Sequence, residues 1–332
     1  MKKFRTYALN VGLVLAGLLV ALALAEGFVR VFYPHSRDHV VPSGLFAFDN
    51  DLGWRMTGNG TFVHRSRYFE VAYRTNQSGY RDRPRQRETT PGKYRILLYG
   101  DSQIFGWGVE QSKRMSDLLE IDIENLEFLN LAVPGYGLDQ QVLSYLLDGK
   151  SFEADEVLFY VSPNTLLRMR KNFMYSKYKP QFKILPGDKL EVVPIPKRNN
   201  AVLGVIYNTL SPFYLPYFVQ RKLARIRSSA DMPKQHSKRN EQSNSGIGQL
   251  DKLVLRKAKR RAGQRNQKLS IIANLNGESE AALKEFCRSE GISFYAIAPR
   301  RDTGRFGPHD PHWNVKGNMI FASEMMRMIT VP

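Results

Sequence analysis

Short apolar runs that stop at glycine or a small polar residue recur along this sequence, each followed by a helical stretch. Residues 95–99 read as a buried strand that halts at Gly100-Asp101-Ser102, and 115–124 can be helical. A second strand, 126–133, ends at Pro134-Gly135-Tyr136-Gly137, and a helix comes next over 138–147. A third strand, 155–161, ends at Ser162-Pro163-Asn164. The rhythm resumes with a strand at 268–273, a helix at 279–290, a strand at 293–297 and a final helix at about 316–329. Strands and helices alternating at this spacing require crossover connections, which are right-handed, and so predict an α/β fold with a mostly parallel sheet.

The remainder is less regular. Residues 34–90 read as irregular strands and turns punctuated by Gly58-Asn59-Gly60 and Ser78-Gly79. Residues 182–196 look like a hairpin around Pro186-Gly187-Asp188. Residues 201–219 read either as a helix interrupted at Pro212 and Pro216 or as a surface-seeking amphipathic piece. Residues 228–247, rich in Ser, Gln, Asn and Lys, have the composition of a flexible linker. The stretch from about 165 to 265 is therefore expected to be a basic, partly disordered insert.

Lys2, Lys3 and Arg5 precede an almost wholly apolar run over residues 8–25, broken only by Asn10 and closed by Glu26. Eighteen such residues are at the lower limit for a bilayer span, and the leading positive charges direct the rest of the chain across the membrane. Small residues at 21–25 would also suit a cleaved signal peptide. The aromatic continuation through Phe28, Phe32 and Tyr33 suits an uncleaved anchor. The expected organisation is a cytoplasmic tip and signal anchor over 1–33 and an extracytoplasmic domain over 34–332. The expectation is a single-pass membrane protein whose main domain faces away from the cytoplasm.

The formal net charge is +18, and residues 221–270 hold 15 lysines and arginines against Asp231, Glu241 and Asp251. Export argues against nucleic acid as the partner and leaves anionic headgroups, an acidic polysaccharide or a merely solvated face. The one cysteine, Cys287, excludes an internal disulfide framework and is expected to be a small buried residue. His35, His39, His64 and His236 lie in polar stretches and are expected on the surface.

In open α/β sheets the working residues collect at the carboxyl ends of the strands. Those ends carry Ser102, Gly135 and Asn164, and His309-Asp310-Pro311-His312 lies before the last helix. A serine hydroxyl becomes a nucleophile when an imidazole takes its proton, and the imidazole needs a carboxylate to fix its tautomer. His312 and Asp310 could supply these, and the Ser102 and Gly135 amides with the Asn164 side chain could hold an oxyanion. Taken singly, Ser102 could be a helix cap, Asn164 and Gly135 turn formers, and His309, Asp310 and His312 metal ligands.

Gly100-Asp101-Ser102, Gly135 in "NLAVPGYG", Asn164 and Asp310-Pro311-His312 together resemble the four blocks of the SGNH/GDSL hydrolase superfamily. "TNQSGYRDR" at 75–83, "GDSQIFGWGV" at 100–109 and "DPHWNVKGN" at 310–318 are similar to its membrane-anchored bacterial branch, associated with envelope polysaccharides and their O-acetylation. The resemblance covers roughly residues 40–165 and 265–332. It implies a three-layer, flavodoxin-like fold preceded by a transmembrane helix, with Ser102 as nucleophile, His312 as base and Asp310 as its orienting acid. Ser102, Gly135 and Asn164 would form the oxyanion hole, with no cofactor and no metal. Departures are Gln103, where the family has an aromatic or aliphatic residue, Ser-Pro-Asn-Thr for Gly-x-Asn-Asp, and a D-x-H spacing shorter than D-x-x-H.

Three functions are expected from these features. The first is an esterase or deacetylase that removes acyl groups from an envelope or exported polysaccharide. The second is an O-acyltransferase that passes the same acyl group to a sugar hydroxyl, served by a membrane-bound acyl-donor protein. The third is an idle polysaccharide-binding scaffold.

Overall fold

The computed structural model describes residues 2–34, 40–175, 177–196, 210, 213–219, 222–223, 247–297 and 304–329. His35, His39, His236 and most of the expected linker at 228–247 lie outside them. The chain forms two compact units, Met1–Val41 with Asn199–His236, and Pro42–Arg198 with Ser237–Pro332. In the first unit, α1 (Lys2–Phe32) is one continuous helix. From Phe4 onward it is long and apolar enough to cross a membrane, with a mean hydropathy of 2.4 over its most apolar window and none of that window buried.

The second unit begins with two hairpins in the stretch expected to be irregular. They are β1 (Phe46–Asp49) with β2 (Gly53–Met56), and β3 (Thr61–Arg65) with β4 (Glu70–Arg74). The first turn is held by the Asp49 carboxylate, which accepts the N–H groups of Asp51 at 2.9 Å and Leu52 at 2.7 Å.

The α/β core comes next in chain order. β5 (Tyr94–Tyr99) leads to α2 (Ser102–Phe105) and α3 (Met115–Asp122), and β6 (Leu126–Asn130) to α4 (Leu138–Asp148). β7 (Glu156–Val161) leads to α5 (Pro163–Met169). Two further hairpins come after it: β8 (Phe173–Met174) with β9 (Lys177–Tyr178), and β10 (Gln181–Leu185) with β11 (Lys189–Val193). The second turns at Pro186-Gly187-Asp188, as its sequence requires. Then come α6 (Gln249–Gln264), β12 (Lys268–Ala273), α7 (Gly277–Glu290) and β13 (Ser293–Ala296). The hairpin β14 (Arg305–Gly307) and β15 (Asp310–Trp313) precedes the closing helix α8 (Val315–Met326).

The five central strands are all parallel, in the order β13-β12-β7-β5-β6. From β5 the chain steps out to β6, returns across β5 to β7, and continues to β12 and β13. This is the flavodoxin-like order, and its direction reverses between β5 and β7, where such sheets open a crevice at their carboxyl edge. Every residue of β6 and β7 is buried, and so is every residue of β5 and β12 after the first. Runs buried on both alternating faces need cover on both sides, which makes three layers.

α6 lies inside the stretch read as a basic insert. Leu253, Val254, Leu255, Ala258 and Ala262 recur at helical spacing and are buried, while its lysines and arginines occupy the other faces. Cys287 is fully buried in α7.

Candidate active site

The crevice edge is built from residue 100 onward. A side chain at Gly100 would strike Ile104 at 2.5 Å, so glycine lets the chain turn sharply out of β5. The cap of α2 is Asp101, not Ser102. Asp101 Oδ1 accepts the Gln103 N–H at 3.0 Å, and its Oδ2 accepts from Arg168 Nη1 at 2.6 Å. Ser102 therefore opens the helix with its hydroxyl uncommitted to capping.

That hydroxyl faces β15. Ser102 Oγ lies 2.8 Å from His312 Nε2, and His312 Nδ1 lies 2.6 Å from Asp310 Oδ1, which also accepts the His312 N–H at 3.1 Å. Asp310 is fully buried and Ser102 nearly so. A carboxylate accepts, so Nδ1 carries the imidazole proton and Nε2 presents its lone pair to the serine O–H. Both ring nitrogens are thereby engaged in the series. The three residues form a continuous relay across 210 residues of sequence.

Gly135 sits in the loop after β6 and Asn164 in the first turn of α5 after β7, and β6 and β7 flank β5. Gly135 has a left-handed φ of +86°. A Cβ there would lie 2.9 Å from the Tyr175 ring and 3.3 Å from the Trp54 indole, so both conformation and space select glycine. Trp54 on β2 holds this turn from two sides. Its Nε1 donates to the Pro134 carbonyl at 3.2 Å, and its own carbonyl accepts the Tyr136 hydroxyl at 2.6 Å. Asn164 is the second residue of α5 and exposed; Ser162 caps that helix by accepting the Thr165 N–H at 3.3 Å.

Several residues that shape the site carry no local signal in the sequence. Arg168 donates to Asp101 and to the Tyr136 carbonyl at 3.3 Å, tying the loops after β5 and β6 to α5. Burial alone would lower its pKa, but Asp101 together with Tyr175 more than offsets this and holds it above the usual arginine value. Gln103 reaches across to β15. Its Nε2 donates to the Pro311 carbonyl at 3.4 Å and its Oε1 accepts the Trp313 N–H at 3.0 Å. Lys177 lies 4.6 Å over the Phe46 ring and 5.8 Å over Trp54, and burial pulls its ammonium down to about 8.

The block at 75–83 acts on the loop behind Ser102. The Arg81 guanidinium donates to the carbonyls of Phe105 at 3.2 Å, Gly106 at 2.7 Å and Val109 at 2.6 Å. Burial, aided by the charge of Arg114, brings Arg81 down to about 9. The loop it holds carries Trp107, stacked on His312. His64 departs from the expected surface position: it is buried, packs edge-on against Trp107 at 4.5 Å, and its Nδ1 is 2.8 Å from the Tyr73 hydroxyl. Alternation along β3 turns His64 inward while its neighbours Val63 and Arg65 face out. Asn314 and Trp313 serve α8, the first by capping it through the Gly317 N–H and the second by packing on Phe321 at 4.4 Å.

Serine, histidine and aspartate in hydrogen-bonded series at a sheet's switch point are the arrangement that activation of a serine hydroxyl requires. No family model matches the sequence, and no curated protein matches it. Solved structures do. A member of the lipolytic G-D-S-L family from Veillonella parvula is 12% identical, covers 72% of this chain and 100% of its own, and has a TM-score of 0.41. The psychrotrophic esterase EstA from a Pseudoalteromonas species is 10% identical over 71% of this chain and 96% of its own, with a TM-score of 0.41. The acetyl xylan esterase AlAXEase is 10% identical over 71% of this chain and 100% of its own, with a TM-score of 0.40.

Proposed function

We propose that this chain is a serine-dependent acyl ester hydrolase, a deacetylase or esterase acting on envelope or exported polysaccharide outside the cytoplasm. The observation that carries the reading is the 2.8 Å contact between Ser102 Oγ and His312 Nε2, in series with Asp310. Ser102 Oγ attacks the ester carbonyl carbon as its proton passes to Nε2. Negative charge moves to the carbonyl oxygen, which the Ser102 and Gly135 N–H groups and the Asn164 amide receive. One such donor is typically worth about 3 kcal/mol in the transition state. Collapse breaks the ester C–O bond, and the departing sugar oxygen takes the proton from Nε2. Water then attacks the acyl-serine with Nε2 as base, releasing the acid and restoring the Ser102 hydroxyl. Asp310 remains a carboxylate and holds the imidazolium while it exists.

The polysaccharide target draws on the export reading of α1 and on the positive charge of the chain. The test is acetate release from acetylated polysaccharide and from small acetyl esters, wild type against Ser102→Ala. Release by the wild type and its loss in the variant support the hydrolase. Transfer of acetyl to an added glycan with little free acetate would make the chain an O-acyltransferase. Phenotypes unchanged by Ser102→Ala would make it a scaffold.

A further inference from the structure

Residues 214–218 and Lys222, which the serine chemistry does not use, pack on or just beyond the end of α1. Along α1 beyond Tyr7 the polar side chains are Asn10, Glu26 and Arg30. A carboxylate is costly at the edge of an apolar span unless it is paired. Glu26 is paired: its carboxylate accepts the backbone N–H of Tyr214 at 2.9 Å and of Leu215 at 2.8 Å, and the Arg30 Nε at 2.7 Å. The Arg30 guanidinium lies 5.2 Å over the Tyr214 ring. Just beyond α1, the ring of Tyr33 lies 4.7 Å from Phe218, and the Lys222 ammonium lies 5.5 Å over the same Phe218 ring. Glu26 thus fastens the helical turn at 215–219 to the last turns of α1.

The assembled patch is aromatic, apolar and basic. Phe28, Phe32, Phe213, Val219 and Leu223 are all exposed, with Arg30 and Lys222 among them. Aromatic rings beside lysine and arginine at the end of an apolar span are the composition of a membrane–water interface. The patch is continuous with a helix whose apolar window is entirely unburied, so the surface that suits both is one bilayer.

We propose that residues 213–219 with 222–223 lie in the headgroup region of the membrane that α1 crosses. Together with Phe28, Phe32 and Tyr33 they form an interfacial collar whose cations meet lipid phosphates. The proposal rests on α1 spanning the membrane and is independent of Ser102.

The test is spin-label immersion depth on the full chain in vesicles of phosphatidylcholine and phosphatidylglycerol. Cys287 is fully buried and burial pushes its thiol up to about 12, so a thiol-directed nitroxide goes to an introduced cysteine. Val219→Cys reports the collar and Leu18→Cys the span. Collisions with oxygen, favoured in lipid, are compared with collisions with a nickel chelate, favoured in water. The proposal expects the Val219 label about 5–10 Å below the phosphates, the Leu18 label deeper, and greater label motion at Val219 when Glu26→Leu removes the acceptor. A Val219 label as open to nickel as a nitroxide free in buffer, with Leu18 immersed, overturns the collar. An aqueous Leu18 label overturns the membrane placement of α1 and the collar with it.

Discussion

The indole of Trp107 lies against the imidazole of His312, ring centroids 4.9 Å apart and planes 22° from parallel. Gln103, next to the serine, grips the backbone on either side of the same histidine. The short segment that presents Ser102 therefore also holds His312, against one ring face and along the strand. Arg81 fixes the far end of that segment through three carbonyls.

Trp107→Leu removes the flat surface behind the imidazole. We expect kcat to fall by roughly 10- to 100-fold, the scale of a misplaced catalytic group, with KM little changed. Trp107→Phe keeps a ring there and should recover most of the rate. Steady-state kinetics on a small acyl ester separate this positioning role from a packing role, in which the rate would track the loss of folded protein.

Gln103→Leu leaves the Pro311 carbonyl and the Trp313 N–H without their side-chain partner. Each lost bond is worth about 1 kcal/mol. The expected outcome is a drop in kcat of about 10-fold with KM unchanged. Gln103→Glu, which keeps the acceptor for Trp313 but opposes the Pro311 carbonyl, should fall between wild type and Gln103→Leu.

Arg168→Met strands the buried Asp101 carboxylate. Breaking one partner of a buried pair costs about 3–5 kcal/mol, far more than a surface bridge. The urea midpoint should shift down accordingly, and Arg168→Met with Asp101→Asn should recover part of the loss because no charge is then left unpaired.

Burial lowers the Lys177 pKa in the folded chain to about 8. The unfolded lysine holds its proton up to about 10.4. Between these values the unfolded state binds more protons, so stability rises with pH across that window, and below it the chain carries the full cost of burying the cation. Lys177→Met should therefore be more stable than wild type at pH 7, and the gap should narrow as pH is raised from about 8 towards 10. Urea unfolding at pH 7 and pH 10 measures it.

Much of this fold is legible in the sequence because its central strands are buried on both faces and read as mainly apolar runs that begin on a charged residue, as in residues 95–99, 156–161 and 268–273. The end of β5 leads to Ser102 for the same reason, whereas His312 lies on β15, outside the parallel sheet. The hairpins before β5 are harder to see, since strands of four or five residues with one face exposed give little pattern. α6 is hidden by its charge, a narrow apolar stripe inside a run of lysines and arginines. Arg81, Arg168 and Gln103 act through partners 24 to 210 residues away, so even where a local block contains them, as for Arg81 and Gln103, their contacts cannot be read from it. His64 is misread because its inward direction depends on the register of a strand that is itself hard to see.

The most direct test of the serine centre is covalent labelling of the folded full chain with a fluorophosphonate, followed by mass spectrometry of its peptides. The account predicts one adduct, on Ser102, formed rapidly by the wild type and lost when His312→Ala removes the base. A folded chain that takes no label, or takes it equally well on a serine other than Ser102, would contradict it.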